Sequence, residues 1–351
     1  MKFINRPCYN LLIASACISM IACQDKSKKP TVELGSNPGV TIEIFDEAAS
    51  KLVSKNATIE VISTGYTWSE GPVWIPSQQF LIFSDVPKNI NYQWKPGAGT
   101  KEYLNPSGYM GKTPRGKGAE DGSNGLTLDR EGNLLLCQSG DRKVARMKSS
   151  VDNPKTEYST ITDNYNGKKY NSPNDLIVDS KSNIYFTDPI YGLPEKEKDP
   201  TRELTFEGVY RVSPNGNVEL LIDSIQRPNG IALSPDEKTL YIASSDAIQP
   251  AWFAYQLNDS GKVVSGGKIL DAVPIREKAD VKQGPDGMKI DQYGNIFSSG
   301  PDGINIITPQ GKRIGLIKIP GRSVANCAFN EKKDVLYITA ADIILKVVLN
   351  P

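Results

Sequence analysis

A short phrase of polar and apolar residues recurs six times along the chain, about every 50 residues. Each copy starts with a small or polar residue, usually followed by glycine, and leads into an apolar stretch. The copies are EGPVW from Glu70, NGLTL from Asn124, NDLIV from Asn174, NGIAL from Asn229, DGMKI from Asp286 and ANCAF from Ala325. A tight polar turn and a second apolar run follow each copy, and the period of two in these runs predicts β-strands.

About four strands fit into each repeat, which predicts an all-β, six-bladed propeller with four antiparallel strands per blade. The last repeat supplies only three strands. We expect the strand TIEVIST, which precedes Glu70, to pair with it, close the ring and cover its open edges. The propeller is expected to span residues 58–351 as one unit. Residues 23–57 read as a polar tether and a short N-terminal extension, with a short helix around Asp46 to Val53.

The loop lengths distinguish the two faces of the predicted propeller. The turns between the first and second strands are all tight, whereas the long connections all fall on the face where the first strands begin. These connections are 105–123, 189–207, 246–250 and 272–285. Long loops on a rigid scaffold usually carry function. Trp68, Tyr109 and Tyr191 are therefore candidates for lining a pocket, while Trp74 alternates into a strand and is expected in the core.

The first residues of five phrases are expected to converge on the central channel, since the first strand of each blade is the innermost. These residues are Glu70, Asn124, Asn174, Asn229 and Asp286. Two carboxylates and three amides form a set of hard oxygen donors that suits Ca²⁺ best, with Mg²⁺ or Mn²⁺ as alternatives. Asn and Asp before Gly also form turns. A carboxylate buried in a channel, however, is costly without a cation.

Composition narrows the possible chemistry. The sequence contains no histidine, which excludes Ser-His-Asp and Cys-His catalysis and histidine zinc sites. A net charge of +1 gives no electrostatic reason to expect nucleic acid as a partner. Cys137 and Cys327 fall in blades that are not neighbours, so both are expected to be free cysteines in the core. We expect a small-molecule substrate and a monomer.

The N-terminus predicts export. An apolar segment from Leu11 to Ala22 follows Lys2 and has the form of a secretory signal over residues 1–22. It ends in Met-Ile-Ala-Cys, which resembles a bacterial lipoprotein lipobox and predicts lipidation of Cys23; an ordinary signal peptide cut nearby is the alternative. Gln24 favours the outer membrane. The expected location is the periplasm or outer membrane of a Gram-negative bacterium, with membrane contact through the lipid alone.

Several longer motifs resemble the SMP-30/gluconolactonase/LRE-like family. They are EGPVW, SPNDL, RPNGIALSPDEKTLY, GPDGMKID and SSGPDGINIITPQGKRIG. Two others, SNGLTLDREGNLLLCQSG and NSPNDLIVDSKSNIYFTDPIYGLP, are similar to its bacterial gluconolactonase branch. The resemblance covers about Thr58 to Leu349.

The resemblance implies a six-bladed propeller with one divalent cation in its channel and hydrolysis of sugar lactones. It implies Glu70, Asn229 and Asp286 as metal ligands, with Asn174 as a further ligand or a substrate contact. Ca²⁺ is expected, and Mg²⁺, Mn²⁺ or Zn²⁺ are alternatives. The cation would polarise the lactone carbonyl and activate water, with Asp286 acting as general base or as nucleophile. Asn124 and Asn174 would hold sugar hydroxyl groups.

Two alternatives to lactone hydrolysis remain open: an esterase or phosphotriesterase at the same site, and a propeller that binds a ligand without catalysis. The chain also departs from the family pattern. Ser172 stands where some members carry Arg, and Gln138-Ser139 stands where the bacterial branch often has Glu-His. Both departures bear on which lactone is the substrate.

Overall fold

The computed structural model describes residues 32–113, 115–116 and 118–350. They form a six-bladed β-propeller of antiparallel sheets, as predicted, with the first strand of each blade at one edge of its sheet. Blade 1 contains Ser69–Ile75, Phe80–Asp85, Ile90–Lys95 and Gly99–Leu104. Blade 2 contains Ser123–Leu128, Leu134–Gln138, Lys143–Met147 and Tyr158–Thr162. Blade 3 contains Leu176–Val178, Ile184–Asp188, Gly208–Val212 and Val218–Ile222.

The second half of the chain repeats this arrangement. Blade 4 contains Pro228–Leu233, Thr239–Ser244, Ala251–Leu257 and Val263–Asp271. Blade 5 contains Met288–Ile290, Ile296–Gly300, Gly303–Ile307 and Arg313–Lys318. Blade 6 contains Asn326–Phe329, Val335–Ala340 and Ile343–Val348, and its fourth strand is Ile59–Thr64. The predicted closure by the N-terminal strand is thus confirmed, because Ile59–Thr64 pairs antiparallel with Ile343–Val348.

The N-terminal extension contributes a strand that the sequence did not predict. Thr41–Ile44 pairs antiparallel with Arg313–Lys318 and becomes a fifth strand of blade 5. The predicted helix follows as a single turn, Glu47–Ser50, capped by the Asp46 side chain, which accepts a hydrogen bond from Ala48 N at 2.9 Å. Ile42 is buried in the same apolar cluster as blades 5 and 6. The extension therefore packs against the blade pair that closes the ring.

Helices and hairpins outside the blades are short. The second α-helix is Val273–Lys278, and 3₁₀ turns cover Val86–Lys88 and Lys196–Lys198. A two-residue hairpin pairs Asn164–Tyr165 with Lys168–Lys169. None of the helices in the described residues has the length and apolar character that crossing a bilayer requires. The predicted signal segment and Cys23 lie outside the described residues.

The core lies between the blades. Each of six apolar clusters joins two neighbouring blades, because the second strands are buried on both faces and read as continuous apolar runs. At the closure between blades 6 and 1, Trp74 stacks on Tyr337 with ring centroids 5.2 Å apart. Trp74 is therefore a core residue, as predicted. Cys137 and Cys327 are buried and free, also as predicted.

Tight turns between the first and second strands repeat one hydrogen-bond pattern. In blade 2, Asp129 Oδ1 accepts hydrogen bonds from Glu131 N at 3.0 Å and Asn133 N at 2.8 Å. Asp179 and Asp291 make the equivalent bonds in blades 3 and 5. These aspartates are consequently engaged in turn formation on the face opposite the long loops.

Candidate functional site

The first residues of five phrases meet in one small cavity at the face of the long loops. The cavity measures about 210 Å³, below the roughly 300–1,000 Å³ common for drug-sized ligands. Its lining consists of Trp68, Glu70, Glu120, Asn124, Asn174, Tyr191, Asn229, Ser245 and Asp286. All five predicted oxygen donors are thus brought together. The sixth position, Ala325, is buried, has no side-chain oxygen and does not belong to this lining.

Irregular strand pairing directs these side chains toward the channel. In blade 1 the register between the first and second strands shifts between Glu70 and Val73. Equivalent shifts occur between Ser123 and Leu126 in blade 2 and between Pro228 and Ile231 in blade 4. Such bulges redirect side chains and occur often beside active sites.

The glycine of the phrase is needed because the blades approach closely at the axis. A Cβ atom on Gly71 would lie 2.0 Å from the Asn124 carbonyl oxygen. A Cβ atom on Gly230 would lie 2.2 Å from the Asp286 carbonyl oxygen. Gly125 N uses the same closeness to donate a hydrogen bond to Asn174 O at 2.7 Å. The glycines therefore permit the close backbone approach by which neighbouring blades hold one another's donor residues in place.

Hydroxyl groups of the second strands donate hydrogen bonds to the backbone of the oxygen-donor residues. Ser84 Oγ donates to Asn124 O at 2.9 Å, and Thr187 Oγ1 donates to Asn229 O at 2.6 Å. Each bond runs from one blade to the donor residue of the next. The positions of the oxygen donors are thus set by contacts between blades.

A buried carboxylate holds the segment that leads to Glu70. Asp85, the last residue of the second strand of blade 1, accepts hydrogen bonds from Thr67 N and Trp68 N, both at 3.1 Å. Asp188 occupies the same place in blade 3 and accepts two backbone N–H bonds at 2.7 and 2.8 Å. These two aspartates position the segments ahead of Glu70 and of the equivalent donor in blade 3.

Several donor oxygens in the cavity lack a protein partner. Asn174 Oδ1 and Asp286 Oδ1 are buried and accept no hydrogen bond from the described residues. Asn229 Nδ2 donates to Ser245 Oγ at 3.0 Å, which commits its amide nitrogen to the wall. Buried oxygens without partners are costly, and a cation would satisfy them. This set of residues fits a hard divalent cation.

The donor set depends on amide oxygens. Within the described ranges, no three His, Cys, Asp or Glu side chains are grouped so as to hold a metal ion. Glu70 and Asp286 are two carboxylates, and the asparagines must supply the remaining oxygens. That composition matches the carboxylate and carbonyl ligands of Ca²⁺ and Mg²⁺.

Burial strongly perturbs both carboxylates. It raises the pKa of Glu70 to about 8, although the Gly71 N–H, 2.9 Å from Glu70 Oε2, counteracts part of that effect. Burial also raises the pKa of Asp286 well above its ordinary value, and the negative charges of Glu70, Asp175 and Glu120 add to the shift. Burial and repulsion between like charges explain why the pKa values of both carboxylates are raised. A bound divalent cation would lower both pKa values.

Polar side chains just after the donor positions meet across the channel axis. Asn326 Nδ2 of blade 6 donates to Asp175 Oδ2 of blade 3 at 3.3 Å, across the axis from the opposite blade. Lys289 Nζ lies 3.9 Å from Asp175 Oδ2 and donates to Asn326 Oδ1 at 3.4 Å. These contacts tie opposite blades together next to the oxygen donors.

The long loops supply lining residues as expected, with one exception. Trp68 and Tyr191 line the cavity, whereas Tyr109 does not and lies under the Arg115 guanidinium, 5.6 Å from its ring centroid. Glu120 and Ser245 also line the cavity, although the sequence did not single them out. Neither residue belongs to the repeated phrase, so no periodicity marked them.

The three residues that depart from the family pattern make structural contacts outside the cavity. Ser172 Oγ donates to Pro189 O and accepts a hydrogen bond from Gly192 N at 2.8 Å. Gln138 Nε2 donates to Ser107 O, and Ser139 Oγ donates to Pro173 O. All three side chains anchor loops or neighbouring blades and are absent from the cavity lining.

A larger cavity of about 540 Å³ lies at the opposite face, among turns of blades 3 and 4. Its carboxylates already serve the turns: Asp179 accepts backbone N–H bonds, and Glu237 accepts from Ser180 N at 2.7 Å. The channel cavity, with its unpaired oxygens, is the better functional candidate.

A six-bladed propeller with an oxygen-lined cavity at the channel mouth defines the structural class of the protein. The SMP-30/gluconolactonase/LRE-like region matches residues 68–342, and the chain belongs to that family. It is 39% identical over 308 residues to a gluconolactonase of Zymomonas mobilis, with 86% of this chain and 84% of that protein covered. It is 24% identical to the pentonolactonase XacC of Haloferax volcanii, over 80% of this chain and 84% of that protein. A solved gluconolactonase of Xanthomonas campestris superimposes with a TM-score of 0.76 and 27% identity, covering 92% of this chain and 99% of that one.

Proposed function

We propose that the protein hydrolyses a sugar lactone in the channel cavity with the help of one divalent cation, Ca²⁺ in the first place. The observation that carries the proposal is the cluster of five oxygen donors, two of them carboxylates, around a cavity of about 210 Å³. Its family membership and its gluconolactonase and pentonolactonase relatives support a lactone as substrate.

Each donor has a proposed role. Glu70, Asn174, Asn229 and Asp286 would hold the cation, which when bound would polarise a carbonyl group and lower the pKa of water. Asn124 would hold hydroxyl groups of the substrate, and Asn174 would also face it. As general base, the Asp286 carboxylate would accept the proton of the attacking water.

Isotope labelling separates this base role from attack by Asp286 itself. In a single turnover in H₂¹⁸O, a base delivers ¹⁸O to the sugar acid at once. As a nucleophile, Asp286 would instead attack the lactone carbonyl, expel the ring oxygen and form a mixed anhydride. Water that attacks the Asp286 carbonyl of this anhydride leaves ¹⁸O on Asp286 and ordinary oxygen in the sugar acid. Mass spectrometry of the product and of the peptide that contains Asp286 distinguishes the two outcomes.

The proposed function is tested with a panel of lactones. The chelator-treated protein is assayed alone and with Ca²⁺, Mg²⁺, Mn²⁺ or Zn²⁺, beside Asp286→Ala and an exposed control, Asp259→Asn. We expect hydrolysis to require a cation, to fall more than about 1,000-fold in Asp286→Ala and to persist in the control. Activity that survives both the chelator and Asp286→Ala would refute the mechanism. Turnover of aryl esters or phosphotriesters but of no lactone would favour the esterase alternative, and no turnover at all would favour a binding propeller.

We further propose that the protein is exported and lipid-anchored through Cys23, as a monomer in the periplasm or outer membrane. The apolar segment before Cys23 and the lipobox-like Met-Ile-Ala-Cys support this location. Expression in a Gram-negative host with labelled fatty acid should label the wild type and not Cys23→Ala, which should appear in the soluble periplasmic fraction. Equal labelling of both proteins, or none of either, would refute the anchor. Size-exclusion chromatography with light scattering tests the monomer.

A further inference from the structure

A third carboxylate reaches the cavity from a long loop. Glu120 lies in the connection between blades 1 and 2 and lines the cavity together with Glu70 and Asp286. Among the described residues, none donates a hydrogen bond to its carboxylate oxygens. Its negative charge is felt by both ring carboxylates, since it raises the pKa of Glu70 and of Asp286. Glu120 is thus close to the reacting region without belonging to the inner strands.

The backbone around Glu120 is held by a second long loop. Arg115 Nη1 donates to Glu120 O at 3.2 Å, and Arg115 Nη2 donates to Gly192 O at 2.9 Å. Lys196 Nζ, from the 189–207 loop, donates to Gly118 O at 3.1 Å. The two loops therefore fix each other by backbone contacts, and these set where Glu120 stands at the cavity.

Most other polar groups at the cavity already have a task. In the proposed function four of the five oxygen donors hold the cation and Asn124 faces the substrate. Ser245 Oγ is committed to Pro285 O at 2.6 Å. The Glu120 carboxylate has two oxygens that can accept hydrogen bonds from two hydroxyl groups. Glu120 is half-buried, and a bound substrate would cover it further. A carboxylate that loses water without gaining donors is costly, and hydroxyl groups on the substrate would provide them.

We propose that Glu120 is a specificity-determining residue that accepts hydrogen bonds from the hydroxyl groups of the lactone. The inference rests on the proposed function and names the residue by which hydroxylated lactones are preferred over lactones with a bare ring. A site built around a polar group rejects an analogue that leaves this group unpaired. A bound lactone without hydroxyl groups would displace water from Glu120 and offer it no donors, whereas a sugar lactone would supply them.

Two six-membered lactones test the inference: D-glucono-1,5-lactone, which carries hydroxyl groups, and δ-valerolactone, which carries none. Both are assayed at saturating Ca²⁺ with the wild type, Glu120→Gln and Asp121→Asn. The second variant is the matched control, because Asp121 pairs with Arg115 at 3.2 Å in the same loop but does not line the cavity. Where δ-valerolactone turns over too slowly, its inhibition constant against gluconolactone replaces kcat/KM.

In Glu120→Gln we expect kcat/KM for gluconolactone to fall about 10- to 100-fold, mainly through KM, and the value for δ-valerolactone to change less than about threefold. Asp121→Asn should keep the wild-type ratio of the two substrates. Calorimetric Ca²⁺ affinity in Glu120→Gln should fall by about 3- to 10-fold, because one negative charge near the cation is lost, and saturating Ca²⁺ keeps this loss out of the substrate comparison. An equal loss on both lactones, or no change on either, would overturn the specificity role. A wild type that hydrolyses no lactone of the panel would instead refute the proposed function itself.

Discussion

Replacing Glu70 by glutamine should stabilise the metal-free protein at high pH and abolish its response to Ca²⁺. Burial raises the pKa of Glu70 from 4.5 to about 8 in the folded protein. An acid whose pKa is raised by folding contributes its full stability below its unfolded pKa and loses it as pH rises toward the folded value. Each pH unit inside that window costs about 1.4 kcal/mol.

From pH 6 to pH 9 the wild type should therefore lose about 2.7 kcal/mol that Glu70→Gln keeps, most of it below pH 8. Glutamine retains an oxygen that can accept the 2.9 Å bond from Gly71 N, so the comparison isolates the charge. The assay is urea unfolding at pH 6 and pH 9 with chelator, and then with Ca²⁺. Glu131→Gln, an exposed carboxylate in a turn, is the control.

Added Ca²⁺ should stabilise the wild type at pH 9 and leave Glu70→Gln almost unchanged, since binding to the folded state alone raises stability. A difference between variant and wild type that is the same at pH 6 and pH 9 would refute the charge argument. An equal Ca²⁺ response in both proteins would refute the role of Glu70 as a ligand.

Three further substitutions test the scaffold. Asp85→Asn removes the charge that holds the segment before Glu70 and should weaken Ca²⁺ binding about 10-fold by calorimetry; unchanged affinity would show that the carboxylate is not needed for positioning. Gly230→Ala places a Cβ atom 2.2 Å from Asp286 O and should cost about 1–3 kcal/mol and most activity; wild-type stability and activity would contradict the close approach. Ile42→Ala should cost about 2–5 kcal/mol in urea unfolding without changing KM for a lactone; a cost below about 1 kcal/mol would mean that the added strand does not stabilise the ring.

The architecture could be predicted from sequence because a local sequence pattern specifies each blade. Each blade repeats the same order of apolar run, tight turn and second apolar run, so the number of copies gives the number of blades. The extra strand Thr41–Ile44 belongs to no repeat, so its short alternating sequence TIEI does not say which sheet it joins. Its place follows from pairing with blade 5.

The same contrast applies to the candidate site. Glu70, Asn174 and Asp286 could be placed at the channel because they start inner strands, whose geometry repeats from blade to blade. Glu120 could not, since its position follows from contacts between two long loops made by Arg115 and a lysine. Repetition predicts the ring of donors, and the loops that shape the pocket depend on tertiary contacts.

The central claim is that the ring of oxygen donors holds one divalent cation. Anomalous diffraction from a crystal of the protein grown with Mn²⁺ tests it most directly, because the anomalous signal locates the metal independently of activity. We predict one strong peak in the channel cavity, coordinated by Glu70, Asn174, Asn229 and Asp286. A cavity without a peak at saturating Mn²⁺, or a peak only at another site, would contradict the claim.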